Sequence, residues 1–361
     1  MNRVLIIGDG YAGTRFRRAF DFLDESRRLR YSALAVADPK RAAIDDGIRR
    51  FASVEEALDR FQPDIICNTT NEIAHVEVFK RLEDYPRSLV LTEKPLAHDE
   101  ISSSRSADYL SRHLVSMNLV ERFSPIVERV RAWIRQLSAD VTVIKVEANW
   151  GKNRVFDPRP TSGVMSEAVH AVDLVDILFA NLTETRWDGF LTEADYASSG
   201  AWLPESFSAA GFSRDSRITL SSSFAWPQRI RSIHAMLRSE DRVYSVLMNF
   251  DDPKWDCDDL LIREISTTGR YRDELMISTS VENIHPSIRG VSKVVAFIEA
   301  SCAAWRGDDV NSTLIADTDR ALALQRILSS IERDLHRSAT RLPLHGATKE
   351  TDSFFEPSRA Q

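Results

Sequence analysis

Cysteine is scarce in this sequence, and so is lysine. Cys67, Cys257 and Cys302 lie far apart, with no CxxC pair and no even framework. That excludes a zinc ribbon and a disulfide scaffold, and free thiols fit the reducing, cytoplasmic setting expected here. A basic excess is also lacking: 47 Lys+Arg face 54 Asp+Glu, a net charge of −7. A nucleic-acid binder needs a basic face against phosphates, and a polybasic membrane-surface protein needs one against anionic lipid. Neither partner is expected. No apolar run approaches the ~18 residues of a membrane span. The run Val4-Leu5-Ile6-Ile7 stops at Gly8-Asp9-Gly10 and is no signal peptide. Internal repeats are absent, and the histidines and acids form no metal-ligand pattern, so no metal is expected. Only eight of the 47 basic residues are lysines, which makes a lysine inside a motif conspicuous.

What is present suits a globular chain. With 43% hydrophobic and 28% charged residues, long-range disorder is excluded, and 361 residues allow two or three domains. Residues 4–7 read as a buried strand and 11–23 as a helix, with Phe16, Ala19, Phe20 and Leu23 on one face. Residues 32–37, 64–69, 88–92 and 113–119 read as further strands. Between them, 72–82 and 99–110 read as helices. Another helix starts at the cap Ser53, where Glu56 completes a capping box. This rhythm predicts an α/β fold with a doubly wound parallel sheet of the Rossmann kind.

The glycine turn indicates the ligand. Gly8-Asp9-Gly10-Tyr11-Ala12-Gly13 matches GxGxxG after a strand and at the start of a helix. Gly8 allows the tight turn, Gly10 lets a pyrophosphate approach, and Gly13 lets helix and strand pack closely. The anion then meets the helix N-terminus. Asp38 follows 25 residues after Gly13, at the end of the second strand. A carboxylate there accepts from a ribose 2′-OH and repels a 2′-phosphate, which favours NAD. Lys40 and Arg41 come next and suit a phosphate, so NADP stays open. Thr69, Thr70, Asn71 and His75 border the expected cofactor path.

Four motifs then fall in order: residues 8–15, Glu93-Lys94-Pro95-Leu96-Ala97, Arg122-Phe123-Ser124-Pro125, and Gly163 through His170-Ala171-Val172-Asp173. Together they resemble the glucose–fructose oxidoreductase/inositol dehydrogenase (Gfo/Idh/MocA) family. The resemblance implies a Rossmann domain over 1–122. It also implies a C-terminal α/β domain over 123–340, built on a large, open, mostly antiparallel sheet that serves substrate binding and homodimer or homotetramer formation. Residues 140–150, 217–226, 230–237, 242–250 and 260–266 independently read as strands, and 291–305 and 313–335 as helices. Residues 341–361 read as a loose tail.

The resemblance further makes Lys94 the proton-handling residue, with Glu93 and Pro95 beside the cofactor, and His170 its partner. Asp173 shares a face with His170 and would fix its tautomer or bind a substrate hydroxyl. One departure stands out. The family's aspartate four residues before the histidine is Ser166 here, and Glu167 follows. Either Glu167 supplies the missing carboxylate, or the carboxylate is lost and the activity altered with it. Arg122 and Lys152 are further candidates to meet substrate. The expectation is an NAD(P)-dependent oxidoreductase interconverting a secondary alcohol and a ketone on a sugar, cyclitol or related polyhydroxylated molecule. The alternatives are an imine or C=C reductase on the same fold, and a non-catalytic dinucleotide sensor.

Overall fold

The computed structural model describes residues 2–343, apart from Asp45, Ser138, Ala139, Pro158, 196–200, Asp215, Thr267 and Ser312. The first half runs β1 (Asn2–Ile7), α1 (Tyr11–Glu25), β2 (Tyr31–Ala37), β3 (Arg49–Phe51), α2 (Val54–Phe61), β4 (Ile65–Asn68), α3 (His75–Lys80), β5 (Leu89–Thr92), α4 (Glu100–Tyr109) and β6 (Leu114–Met117). All six strands pair in parallel, in the order β3-β2-β1-β4-β5-β6. The order reverses beside β1, which places the ligand crevice at its carboxyl end, where the glycine turn begins. Ser53 caps α2 by accepting from Glu56 N. The helix expected over 72–82 shrinks to α3. Asn71 Oδ1 accepts from the N–H groups of Ile73 and Ala74, and this local turn competes with a helical start.

The second half continues through α5 (Pro125–Gln136), β7 (Val141–Asn153), α6 (Met165–Leu178), β8 (Trp187–Ala194), β9 (Leu203–Ser213), β10 (Ser216–Ser223), β11 (Ala225–Ser239), β12 (Arg242–Asn249), β13 (Asp259–Ile265), β14 (Tyr271–Ser278), α7 (Ser292–Arg306), α8 (Thr318–Leu335) and β15 (Thr340–Leu342). Its nine strands form one sheet in the order β14-β13-β12-β11-β7-β10-β9-β8-β15. Only β7–β10 and β8–β15 pair in parallel. The sheet is therefore mostly antiparallel, as expected. Strands β8, β9 and β14 were not legible in sequence. Strand β9 is made largely of Ser, Ala and Gly, which have little strand preference of their own, so its neighbours decide its conformation.

Two expectations about boundaries need correcting. Helix α7 falls in the range assigned to the second domain, yet it packs on the first sheet. Val294, Phe297 and Ile298 share a core with Phe16, Phe20 and Ile65, and the Phe16 and Phe297 rings meet edge to face at 6.1 Å. Each such buried side chain is worth roughly 1.5–3 kcal/mol of burial. The loose tail does not begin at 341 either, because Arg341 and Leu342 pair with β8. Residues 344–361 lie outside the described residues. No described helix is long and apolar enough to cross a membrane.

Candidate active site

At the end of β1 the chain must turn sharply, and Gly8 does so with φ +89°. A Cβ on Gly13 would lie 2.0 Å from Gly8 O, so helix and turn can approach only without a side chain there. A Cβ on Gly10 would meet nothing within 4 Å, so space is open in front of the turn. No side chain caps α1, which leaves its first N–H groups for an anion. Asp38 holds this turn from β2: its carboxylate accepts from Asp9 N and Lys40 N, both at 2.8 Å. Asp9 itself is buried and pairs with Arg50 at 3.0 Å. These residues fit a dinucleotide pyrophosphate.

The turn opens into a cleft of about 500 Å³. Tyr11, Ala12 and Arg15 line it from α1, and Glu93, Lys94 and Asn118 from the ends of β5 and β6. Lys152, Glu167, His170, Arg229 and Arg231 enter from the second half. The Lys94–Pro95 bond is cis. Asn118 Nδ2 donates to Glu93 Oε1 at 2.7 Å, which steadies the Glu-Lys-Pro loop. Lys94 Nζ crosses to α6 and donates to Ser166 O at 2.7 Å.

Glu167 is the hub of the site. Its Oε2 lies 2.6 Å from Lys152 Nζ and 3.5 Å from Lys94 Nζ, and its Oε1 accepts from Arg231 Nη2 at 2.7 Å. Burial alone would raise its pKa. The three surrounding cations overcome that and hold the carboxyl well below its ordinary value. Ser166 instead turns its hydroxyl to Gly163 O at 2.8 Å. Glu167 therefore brings a carboxylate beside Lys94 where the serine cannot. Burial pushes the Lys152 amine down to about 8, with Lys94 and Arg231 adding to the effect and Glu167 opposing it. His170 stacks on Trp150 with ring centroids 5.9 Å apart. Burial and then the Lys94 cation drive its pKa well below the ordinary value, so the imidazole is neutral, and its Nδ1 has no hydrogen-bond partner among the described residues.

Several expected site residues have other work. Asp173 neither touches His170 nor reaches the cleft. It accepts from Arg122 Nε and Nη2 at 2.7 and 2.6 Å and from Arg320 Nη2 at 2.7 Å, in a buried clamp between α6 and α8. The same clamp removes Arg122 from substrate; its Nη1 donates to Thr313 O and Ile315 O. His75 is fully buried under the Glu-Lys-Pro loop, with Nδ1 3.0 Å from Pro95 O and Nε2 3.2 Å from Thr70 O. Thr69 Oγ1 donates to Gly8 O at 2.6 Å, and Thr70 Oγ1 to Asn68 Oδ1 at 2.7 Å. Both brace the glycine turn, and neither they nor Asn71 line the cleft. Arg41 lies 3.7 Å from Asp9.

Sequence reasoning missed Arg15, Glu121, Arg229, Arg231 and Trp255, which also line the cleft. The one available signal was Arg229-Ile230-Arg231, an unusual charge pair at a strand otherwise apolar on one face. Glu121 accepts from Arg231 Nη1 at 3.1 Å and from Lys293 Nζ at 2.6 Å. Lys293 also donates to Asp251 and Asp258, at 3.1 and 2.9 Å. These three carboxylates converge as around a cation, and the cation is the lysine.

No family model and no curated protein matches the sequence. Solved structures do match the fold. Levoglucosan dehydrogenase, in complex with NADH and L-sorbose, superposes with a TM-score of 0.71 at 15% identity, over 94% of this chain and 98% of that one. A mutant of KijD10, a 3-ketoreductase from Actinomadura kijaniata in complex with TDP-benzene and NADP, gives 0.67 at 13% identity, over 95% and 99%. An oxidoreductase from Sinorhizobium meliloti gives 0.68 at 13%, over 93% and 97%. With its six-stranded parallel sheet, its nine-stranded second sheet and the cleft between them, the chain has the fold of the glucose–fructose oxidoreductase/inositol dehydrogenase type.

Proposed function

We propose that this protein is an NAD-dependent oxidoreductase that interconverts a secondary alcohol and a ketone on a sugar, cyclitol or related polyol. The observation that carries the reading is the Lys94–Glu167–Lys152 chain, at 3.5 and 2.6 Å, in the same cleft as the glycine turn and neutral His170. A bound nicotinamide supplies the hydride chemistry; the chain's own residues handle oxygen and proton. The substrate hydroxyl rests against Lys94 Nζ, whose positive charge stabilises alkoxide character as the C–H electron pair leaves. Lys94 takes the hydroxyl proton as it passes one of its own to Glu167 Oε2, and Glu167 hands that proton to the neutral amine of Lys152. Neutral His170 orients a substrate hydroxyl without adding a second titrating cation. Reduction of the ketone runs the same path backwards.

The preference for NAD rests on Asp38 and on the state of the nearby arginines. Arg41 and Arg50 already face Asp9, and Arg50 also pairs with Asp46 at 2.7 Å. That leaves Lys40, exposed and without an ion pair among the described residues, as the one cation after Asp38 open to a 2′-phosphate. Three free thiols, two of them buried, support a reducing cytoplasm as the setting.

The test is a panel of sugars and cyclitols followed by nicotinamide absorbance, with Lys94→Ala as the control. Turnover by the native protein and loss of at least about 100-fold in kcat for the variant are expected, with NADH affinity intact in both and stronger than NADPH affinity. NADH binding without turnover on any substrate would mark a sensor instead. Unchanged turnover in Lys94→Ala would remove the lysine from the mechanism.

A further inference from the structure

The geometry points to an anion receptor at this cleft: Arg229, seated on Trp255, meets a carboxylate of the substrate, so the substrate is a sugar acid or polyol acid and not a neutral sugar. The inference rests on the reading that the cleft takes a polyol.

Three guanidinium groups crowd one indole. Arg229 lies 3.9 Å from the Trp255 ring centroid, Arg15 4.7 Å and Arg231 4.9 Å. Two of the three have fixed partners. Arg231 is bound by Glu121, Asp251 and Glu167, and Arg15 Nη2 donates to Gly290 O at 2.8 Å. Among the described residues Arg229 makes no ion pair, and its Nε is buried without a hydrogen-bond partner. Burial first, and then the charge on Arg231, disfavour its cationic form. A guanidinium nevertheless keeps its proton in a protein, so Arg229 is a cation beside another cation, with Asp251 and Glu167 near but no carboxylate in ion-pair contact among the described residues. An oxyanion relieves the repulsion and satisfies the orphaned N–H together.

The stacking selects the shape of that anion. With one face on the indole, the guanidinium offers its planar edge, and a carboxylate matches that edge with two parallel hydrogen bonds. The cleft volume of about 500 Å³ is shared with the nicotinamide end of the cofactor, which suits a substrate of hexose size. The other anion within reach is the cofactor pyrophosphate. That group belongs to the N-terminus of α1, whereas Arg229 extends from β11. The same strand supplies Arg231, which grips Glu167 at 2.7 Å beside Lys94. Glu167 and Tyr11 both act on the Arg229 charge, so Arg229 lies between the reacting groups and the glycine turn, and the NADH affinity of its variants separates the two roles.

The experiment is titration calorimetry on the NADH-saturated protein. D-glucuronate, D-galacturonate and D-gluconate are compared with D-glucose, D-galactose and myo-inositol, for the native chain, Arg229→Gln and Arg229→Lys. Thermal melting checks that each variant is folded. At least one acid is expected to bind about tenfold or more tightly than its neutral counterpart. Arg229→Gln should erase that ratio, Arg229→Lys should keep only part of it, and NADH affinity should stay unchanged in both. The proposal falls if no acid binds better than its neutral counterpart. It also falls if Arg229→Gln weakens NADH and leaves the ratio intact, since the arginine would then serve the pyrophosphate. The readout is binding alone. Absence of turnover would sink the oxidoreductase reading and leave this one standing.

Discussion

In the proposed mechanism, proton traffic in the cleft depends on the ion pair of Lys152 and Glu167. The Lys152 amine, pushed down to about 8 chiefly by burial, is an ammonium below that pH and a free base above it. Alcohol oxidation needs the free base. Its kcat/KM is therefore expected to rise with pH through a pKa near 8, and Lys152→Met should flatten that limb while NADH binding persists. His170 titrates well below its ordinary value and contributes nothing to a limb near 8. A limb unchanged in Lys152→Met would place the proton elsewhere. At this scale the sequence was informative about identity and poor about partners. Lys94, His170 and Glu167 were legible because each sits inside a local motif. Arg229 and Trp255 were not, since 26 residues separate them in the chain and only the fold stacks one on the other.

Helix α7 shows what a single element can join. Its Phe297 packs in the core of the first sheet, while Lys293, one turn earlier, reaches Glu121, Asp251 and Asp258. Those carboxylates are nearly inaccessible, and they hold the Lys293 ammonium strongly in its charged form. Lys293→Met would leave Asp258 without a cation and Glu121 and Asp251 with Arg231 alone, and is expected to cost about 3–5 kcal/mol, read by urea unfolding at pH 7.5. Burial already raises Glu121 to about 7, and losing the Lys293 charge raises it and Asp251 further, so the folded variant binds more protons than the native fold does. The deficit should therefore shrink as pH falls towards 5. A loss that is the same at both pH values would mean that packing dominates over charge. Element boundaries followed the same logic. Helix α2 was readable from its own cap, whereas α3 was overestimated because the Asn71 turn competes locally with helix.

Across the whole molecule, the nine-stranded sheet keeps its helices on one face. The strand registers put Phe190, Phe212 and Met276 on the opposite face, 56%, 69% and 74% exposed. Light scattering is expected to give a dimer or tetramer mass, and Phe212→Glu to shift it towards the monomer; a monomeric native protein would contradict this. The sequence by itself determined the parallel-sheet half, because strand period, glycine turn and helix caps are all local signals. It also singled out Lys94 and His170 and offered Glu167 as one of two alternatives, and the fold brings all three to one cleft. Only the tertiary structure decided that Asp173 and Arg122 neutralise each other away from the cleft, that Lys293 fills the place of a cation, and that Arg229 makes no ion pair among the described residues. The reason is physical: a residue type follows from the sequence, but a charge's partner is whichever opposite charge the fold brings within a few ångströms in a poorly solvated interior.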